Sequence, residues 1–420
     1  MRTRLENDVQ NERANVTIAF AIMSLPIMAV AGFSIDNQRH VNLKQHAQYA
    51  ADVSVLAGAR SIFDLSLNDD DLRTLVTDSY NANLVSAPDD ASCGGPKVFI
   101  DRSAHTVTVE GECTTPTTFG VGISGHSQLV VRPRANAKGS MTQADIALAI
   151  DISGSMANGG RLNSVKTAVE NMTDVLINPL TGGATRLSFA AFSNSVNAGV
   201  YGNLAQGKPR HDDSDADGLD RVCVTERIGP MAYELAPPRA GQWVGDVPGA
   251  TCADEIGIYP LTSDADAFKD AVDDLVAGGG TAGHIGVAWA GYLISPEWAS
   301  IWTRPPSPTS LSIHPDRSSV PHDHDGFTEK AVIILSDGMF SDWFAGASSM
   351  EQAGLVCDTM NAAGMSVYAI AFKVAHRIPK EMLKYCASSP DHYFEADTGA
   401  ELDAVYQDIA NRFIGARLTE

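Results

Sequence analysis

The chain has 420 residues, of which 51 are acidic and 30 basic, giving a formal charge of −21 at pH 7. That length accommodates two folded units with their own cores, and acidity spread along the whole chain argues against nucleic-acid binding. No phosphate-binding lysine loop, dinucleotide fingerprint or HExxH zinc motif is present, and none of the six cysteines has the CxxC spacing of a zinc ribbon or a redox motif.

Residues 14–35 carry no charged side chain, and a 22-residue helix is long enough to cross a bilayer. Arg2, Arg4 and Arg13 precede it, which places residues 1–13 in the cytoplasm, although Arg39 and Lys44 on the far side weaken that bias. A cleaved signal peptide competes with this reading, because Ala29-Val30-Ala31 before Gly32 has the form of a cleavage site. Against cleavage, Glu6, Asp8 and Glu12 make the leading segment acidic, and apolar residues continue past the cut. We therefore expect a retained transmembrane helix, kinked at Pro26. Val41, Ala47, Ala50, Ala51, Ser54 and Ala57 then recur near helical spacing, which predicts a stalk helix over 36–66. Its small-residue face either admits a neighbouring helix or packs on the chain's own next domain.

Residues 67–140 read as a small α+β unit, with a short helix at 71–76 and strands at 97–100, 106–109 and 129–132. Within it, Gly122-Ile-Ser-Gly-His126 lacks the glycine spacing of a hydrolase elbow. From 141 to 420 apolar strands (146–150, 186–193, 331–336, 365–372) alternate with amphipathic helices (161–177, 264–276, 282–294, 349–362, 400–414). This pattern predicts an α/β fold with a mostly parallel central sheet covered on both faces. Two long insertions interrupt the alternation, at about 201–258 and 295–328. In chain order the cysteines fall into local couples, Cys93 with Cys113, Cys223 with Cys252 and Cys357 with Cys386. All 15 pairings stay open on sequence alone, as does a set of buried thiols.

Asp151-Ile-Ser153-Gly-Ser155-Met156 leaves an apolar strand with one carboxylate and two hydroxyls at alternating positions. Thr281 follows the run Gly278-Gly279-Gly280, and Asp337 ends the strand at 331–336. In open α/β sheets ligands bind beyond the carboxyl ends of the strands, so these segments can meet on one rim. An oxygen-only set with two carboxylates suits Mg²⁺, with Ca²⁺ or Mn²⁺ as competitors. The alternative is an Asx or serine turn capping the following helix. Asp213, Asp215 and Asp217 match the first half of a calcium loop but lack its ligand glutamate, and the His322-Asp-His324-Asp325 cluster reads as an exposed stretch.

The five residues Asp151, Ser153, Ser155, Thr281 and Asp337 resemble the metal-ion-dependent adhesion site of the von Willebrand factor A (vWA) domain, a Rossmann-like fold. The chain as a whole resembles the TadG-like family of the bacterial Tad (Flp pilus) assembly system. The residues carrying this likeness are Glu12–Ala21, Gln48–Ala59, Asp151–Met156, Cys223-Val-Thr-Glu-Arg227, Gly279–Trp289 with Leu293–Pro296, and Cys357-Asp358 with Leu383–Ala387. The resemblance implies a non-enzymatic pilus-assembly or adhesion accessory protein, held by one helix in the bacterial inner membrane with its C-terminal domain in the periplasm. Its divalent ion would dock an acidic residue of a pilus or envelope partner. The alternatives are an exported or surface vWA adhesin with a cleaved signal peptide and, with less support, a metal-dependent hydrolase, for which no general base stands beside the ligands.

Overall fold

The computed structural model describes residues 2–84, 91–117, 127–208, 221–252, 257–302, 320–322 and 327–419, leaving aside the side chains of residues 2–19, 21, 25 and 200. The chain divides into two units, residues 1–140 with 416–420 and residues 141–415.

The first unit begins with helix α1 (Arg2–Ser61), which contains Pro26. Among the described residues no helix is long and apolar enough to cross a membrane, so the span expected at 14–35 is not demonstrated. Phe20, Ile22, Met23, Ile27, Val30 and Phe33 are nonetheless exposed on this helix. Farther along, Leu43, Ala47, Ala50, Ala51, Val55 and Ala59 are fully buried where α1 packs on α2 (Asp69–Leu84) and on strands of the unit. A Cβ placed on Gly58 would lie 2.5 Å from Val76 Cγ2, so only a glycine lets the two helices meet this closely. The small-residue face is thus used within its own unit.

Strands β1 (Ser92–Cys93), β4 (Cys113–Pro116) and β5 (Gln128–Val131) form one antiparallel sheet, with Cys93 opposite Cys113 and disulfide-bonded to it. Strands β2 (Lys97–Asp101), β3 (Thr106–Glu110) and β6 (Arg134–Met141) form a second sheet, completed by the C-terminal strand Ile414–Leu418.

In the second unit β7 (Ala144–Asp151), β8 (Thr185–Phe192), β12 (Glu329–Ser336) and β13 (Ser366–Phe372) are buried along nearly their whole length. Such continuous Ala, Ile, Leu and Val runs are what a sheet covered on both faces requires. With β14 (Tyr393–Ala396) they form the parallel array β8-β7-β12-β13-β14. Short antiparallel strands β9 (Val196–Asn197), β10 (Cys223–Val224) and β11 (Ile258–Thr262) extend it beyond β8. Helix α3 (Arg161–Leu176) packs with α5 (Ala265–Asp273) and α10 (Gly399–Arg412), while α6 (Gly283–Ile294) packs with α8 (Ser349–Ala362), which in turn meets α9 (Arg377–Cys386). Two short helices, α4 (Gly199–Ala205) and α7 (Ala299–Trp302), lie in the insertions.

At the amino-terminal edge of the parallel strands, Asp145 is paired in register with Arg186 on one side and Lys330 on the other. Its fully buried carboxylate lies 2.6 Å from each cation. The returning end of the second insertion is fixed to this cluster. His322 donates its backbone N–H to Asp145 Oδ2 (2.9 Å), and its carbonyl accepts from Lys330 Nζ (2.8 Å). His322 is therefore built into a buried network, contrary to the exposed stretch read from the sequence. The two neighbouring cations account for the difference, since they draw the polypeptide in to satisfy their remaining donors.

Candidate metal centre

Parallel register brings the site together. Leu335 of β12 pairs with Ile150 of β7, so Ser336 falls beside Asp151 at the carboxyl end of both strands. Ser336 Oγ donates to Asp151 Oδ2 at 2.7 Å, and the Ser153 N–H donates to Oδ1 at 2.8 Å. The second contact is an Asx turn, which meets half of the capping alternative. The other half is not met, because Ser153 makes no side-chain cap to the 3₁₀ turn Gly154–Gly160 and α3 starts from Gly160 without one. The serine hydroxyls turn to the rim instead. Ser153 Oγ lies 3.0 Å from Ser155 Oγ, which donates to Asp337 Oδ1 at 2.7 Å, while the guanidinium of Arg161 pairs with Asp337 Oδ2.

Thr281 is held to the same rim through its backbone. The Gly154 N–H donates to Gly279 O (2.9 Å) and the Gly278 N–H to Ile152 O (2.8 Å), which clamps the glycine run against the Asp151–Ser155 loop. Thr281 O accepts from the N–H groups of Ser341 (2.9 Å) and Asp342 (3.2 Å), in the loop after Asp337. The glycines are required by close approach. Gly279 has φ +81°, and a Cβ on Gly280 would stand 1.6 Å from Asp342 Oδ2. Asn194 completes the arrangement by accepting the Gly280 N–H (3.0 Å) and donating to Asp342 Oδ2 (3.0 Å).

Asp151 is wholly buried, and this burial above all pushes its carboxyl up to about 6, with a smaller push from Asp337, against the opposing hydrogen bonds from Ser153 and Ser336. Two carboxylates converging with hydroxyls, one of them buried without an equal countercharge, fit a hard divalent cation. Among the described residues no group of three or more His, Cys, Asp or Glu side chains is placed to hold a metal ion. The five residues expected from the sequence include only two acids. Sequence reading missed Arg161, Asn194, Asp342 and the bond made by Ser336. Of these, only Ser336, adjacent to Asp337, carried a positional signal.

Asp213, Asp215 and Asp217 lie outside the described residues, as do His324 and Asp325. All six cysteines are joined in the local pairs, Cys93–Cys113, Cys223–Cys252 and Cys357–Cys386. The last two brace the first insertion and the α8–α9 pair.

Fold and rim define a mixed α/β protein with a cluster of side-chain oxygens at the carboxyl edge of its large sheet. Residues 14–61 match the family model described as "Putative Flp pilus-assembly TadE/G-like". Among solved structures, the chain is similar to the pilus adhesin SpaC from Lactobacillus rhamnosus GG at 14% identity and a TM-score of 0.38, covering 77% of this chain and 34% of that one. It is also similar to the vWF domain of the type V pili tip protein Mfa5 from Porphyromonas gingivalis (12% identity, TM-score 0.37, 65% of this chain and 95% of that one). A third is proximal thread matrix protein 1 from the mussel byssus with a zinc-occupied MIDAS motif (14% identity, TM-score 0.35, 67% and 49%). The chain spans about a third of SpaC. No curated protein matches it.

Proposed function

We propose that this chain is a membrane-anchored accessory protein of Flp pilus assembly, whose second unit is a vWA domain that docks a protein partner through a divalent ion. The observation that carries the docking half is the convergence of Ser153, Ser155 and Asp337 beside buried Asp151, with Thr281 clamped to the same rim. Asp151, Ser153, Ser155, Thr281 and Asp337 would hold the ion, with Mg²⁺ favoured over Ca²⁺ or Mn²⁺. When bound, the ion supplies a Lewis-acidic point for an exogenous carboxylate. The protein residues orient that point and keep it dry on its inner side, where Asp151 and Ser336 have no exposed surface.

The TadE/G-like segment at 14–61 supports the pilus-assembly half. It also favours a single-pass inner-membrane anchor with the remainder in the periplasm, where three disulfides are stable. Because the alanine face of α1 is occupied within its unit, a helix contact with a pilin-like neighbour would use the exposed apolar residues upstream, from Phe20 to Ile35. The reading is of an interaction protein and not an enzyme.

Asp151→Ala tests it. The variant is expected to reach the membrane in normal amount, lose Mg²⁺-dependent thermal stabilisation and impair piliation. Normal pili in that variant would reject metal-dependent docking.

A further inference from the structure

The first insertion carries Cys223-Val-Thr-Glu-Arg227, and the proposed docking role leaves Glu226 and Arg227 unexplained. Both are buried, at 8% and 3% exposure, as is His284 of α6 at 2%. Among the described residues, Glu226 Oε2, Arg227 Nε and Nη2, and His284 Nε2 have no hydrogen-bond partner. All three side chains line one small cavity together with Thr225, Tyr292 and Gln352. Glu226 Oε2 and His284 Nε2 stand 3.7 Å apart, too far for a direct hydrogen bond. The cavity offers about 20 Å³ to the centre of a water-sized sphere, and one water needs roughly 10–15 Å³ by that measure and two to four polar partners.

We infer that this cavity is a binding site for a single water molecule that joins Glu226, Arg227 and His284 behind the metal rim. The chemistry balances: the water donates to Glu226 Oε2 and accepts from the Arg227 guanidinium. It also accepts from His284 Nε2–H, the tautomer compatible with Nδ1 accepting from Ser349 Oγ at 2.7 Å. The remaining groups are already fixed. Arg227 Nη1 donates to Ala236 O (2.9 Å), and the guanidinium lies 5.4 Å from the Tyr292 ring centroid and 5.6 Å from that of Trp298.

The water sits where three segments meet. Glu226 Oε1 accepts the backbone N–H groups of Phe344 (2.7 Å) and Ala345, in the loop whose Ser341 and Asp342 hold Thr281. His284 stands three residues after Thr281 at the start of α6. Glu226 is therefore a positioning residue. With its water it ties the disulfide-stapled insertion to two of the three segments that form the rim, with or without an ion at Asp151.

Amide hydrogen exchange on the full-length chain in detergent, with chelator present throughout, tests this independently of metal binding. Glu226→Gln and His284→Phe are each expected to speed exchange at Phe344 and Ala345 at least tenfold. His284→Gln, which keeps a polar group at that position, is expected to stay within threefold of the unaltered protein. It also serves as the folding control if His284→Phe does not fold. Unchanged exchange in Glu226→Gln, or equal acceleration in His284→Gln and His284→Phe, overturns the bridge. So does a crystal structure showing the cavity dry or closed by direct Glu226–His284 contact.

Discussion

Asp151 is the residue on which the rim's electrostatics turn. Its carboxyl sits near 6 in the folded protein against a reference of 3.8, so folding favours the protonated form. This group's contribution to the stability of the metal-free protein is therefore fully present below the reference value and is lost as pH rises through about 6, by on the order of 3 kcal/mol. Asp151→Asn removes the loss. In chelator at pH 8 we expect this variant to melt above the unaltered protein, while at pH 4 the difference vanishes. Added Mg²⁺ should stabilise only the unaltered protein. Equal melting at pH 8 would show that the buried charge is already compensated. Arg161 provides a second residue-scale test. Its guanidinium occupies Asp337 Oδ2, so an ion at the rim must compete with it for that carboxylate. Arg161→Gln is expected to tighten Mg²⁺ binding by about tenfold in calorimetry, equivalent to ~1.4 kcal/mol. Weaker binding in the variant would instead make Arg161 a supporting residue. Asp151, Ser153 and Ser155 were legible because three oxygen-bearing side chains lie within five residues on one turn. Arg161 and Asp342 were not, because nothing local marks a surface arginine or aspartate as facing a distant carboxylate or glycine.

Among the elements, β7, β8 and β12 share a buried charge cluster as well as a ladder. Burial pushes Asp145 up, but Lys330 and Arg186 outweigh it and hold the carboxyl below its ordinary value. A depressed carboxyl stabilises the fold above its unfolded pKa, and the contribution is lost as pH falls through the folded value. Asp145→Asn leaves two buried cations without their shared anion, and a cost of about 3–5 kcal/mol is expected in denaturant unfolding at pH 7. The penalty should shrink in acid below the usual carboxylate range. A constant penalty down to that pH would mean that the lost hydrogen bonds, and not the charge, set it. The long apolar strands were legible from composition alone. Strand β6 was not, because its inward positions are Ala135, Ala137 and Gly139. A Cβ on Gly139 would meet Ala59 O at 2.4 Å, so the close packing of α1 demands small residues and erases the hydrophobic alternation by which a strand is recognised.

For the molecule as a whole, the open choice is between an anchored and a released protein. Exposed Phe20, Ile22, Met23, Ile27, Val30 and Phe33 on a helix that continues into a folded unit favour retention. We expect mass measurement of the mature protein to include residues 1–31 and fractionation to place it in the membrane. A mature start at Gly32 would instead favour the exported adhesin.

The sequence by itself determined the periodic parts of this protein. Continuous apolar strands, amphipathic helices and the Asp151–Ser155 turn are local patterns, set by the spacing at which side chains meet a buried face. Only the tertiary structure decided which strands run side by side. That choice put Ser336 against Asp151, set Asp145 between Arg186 and Lys330, and brought Glu226 of an insertion behind the rim. These contacts join residues far apart in the chain, so their chemistry depends on register and burial, which no local window contains.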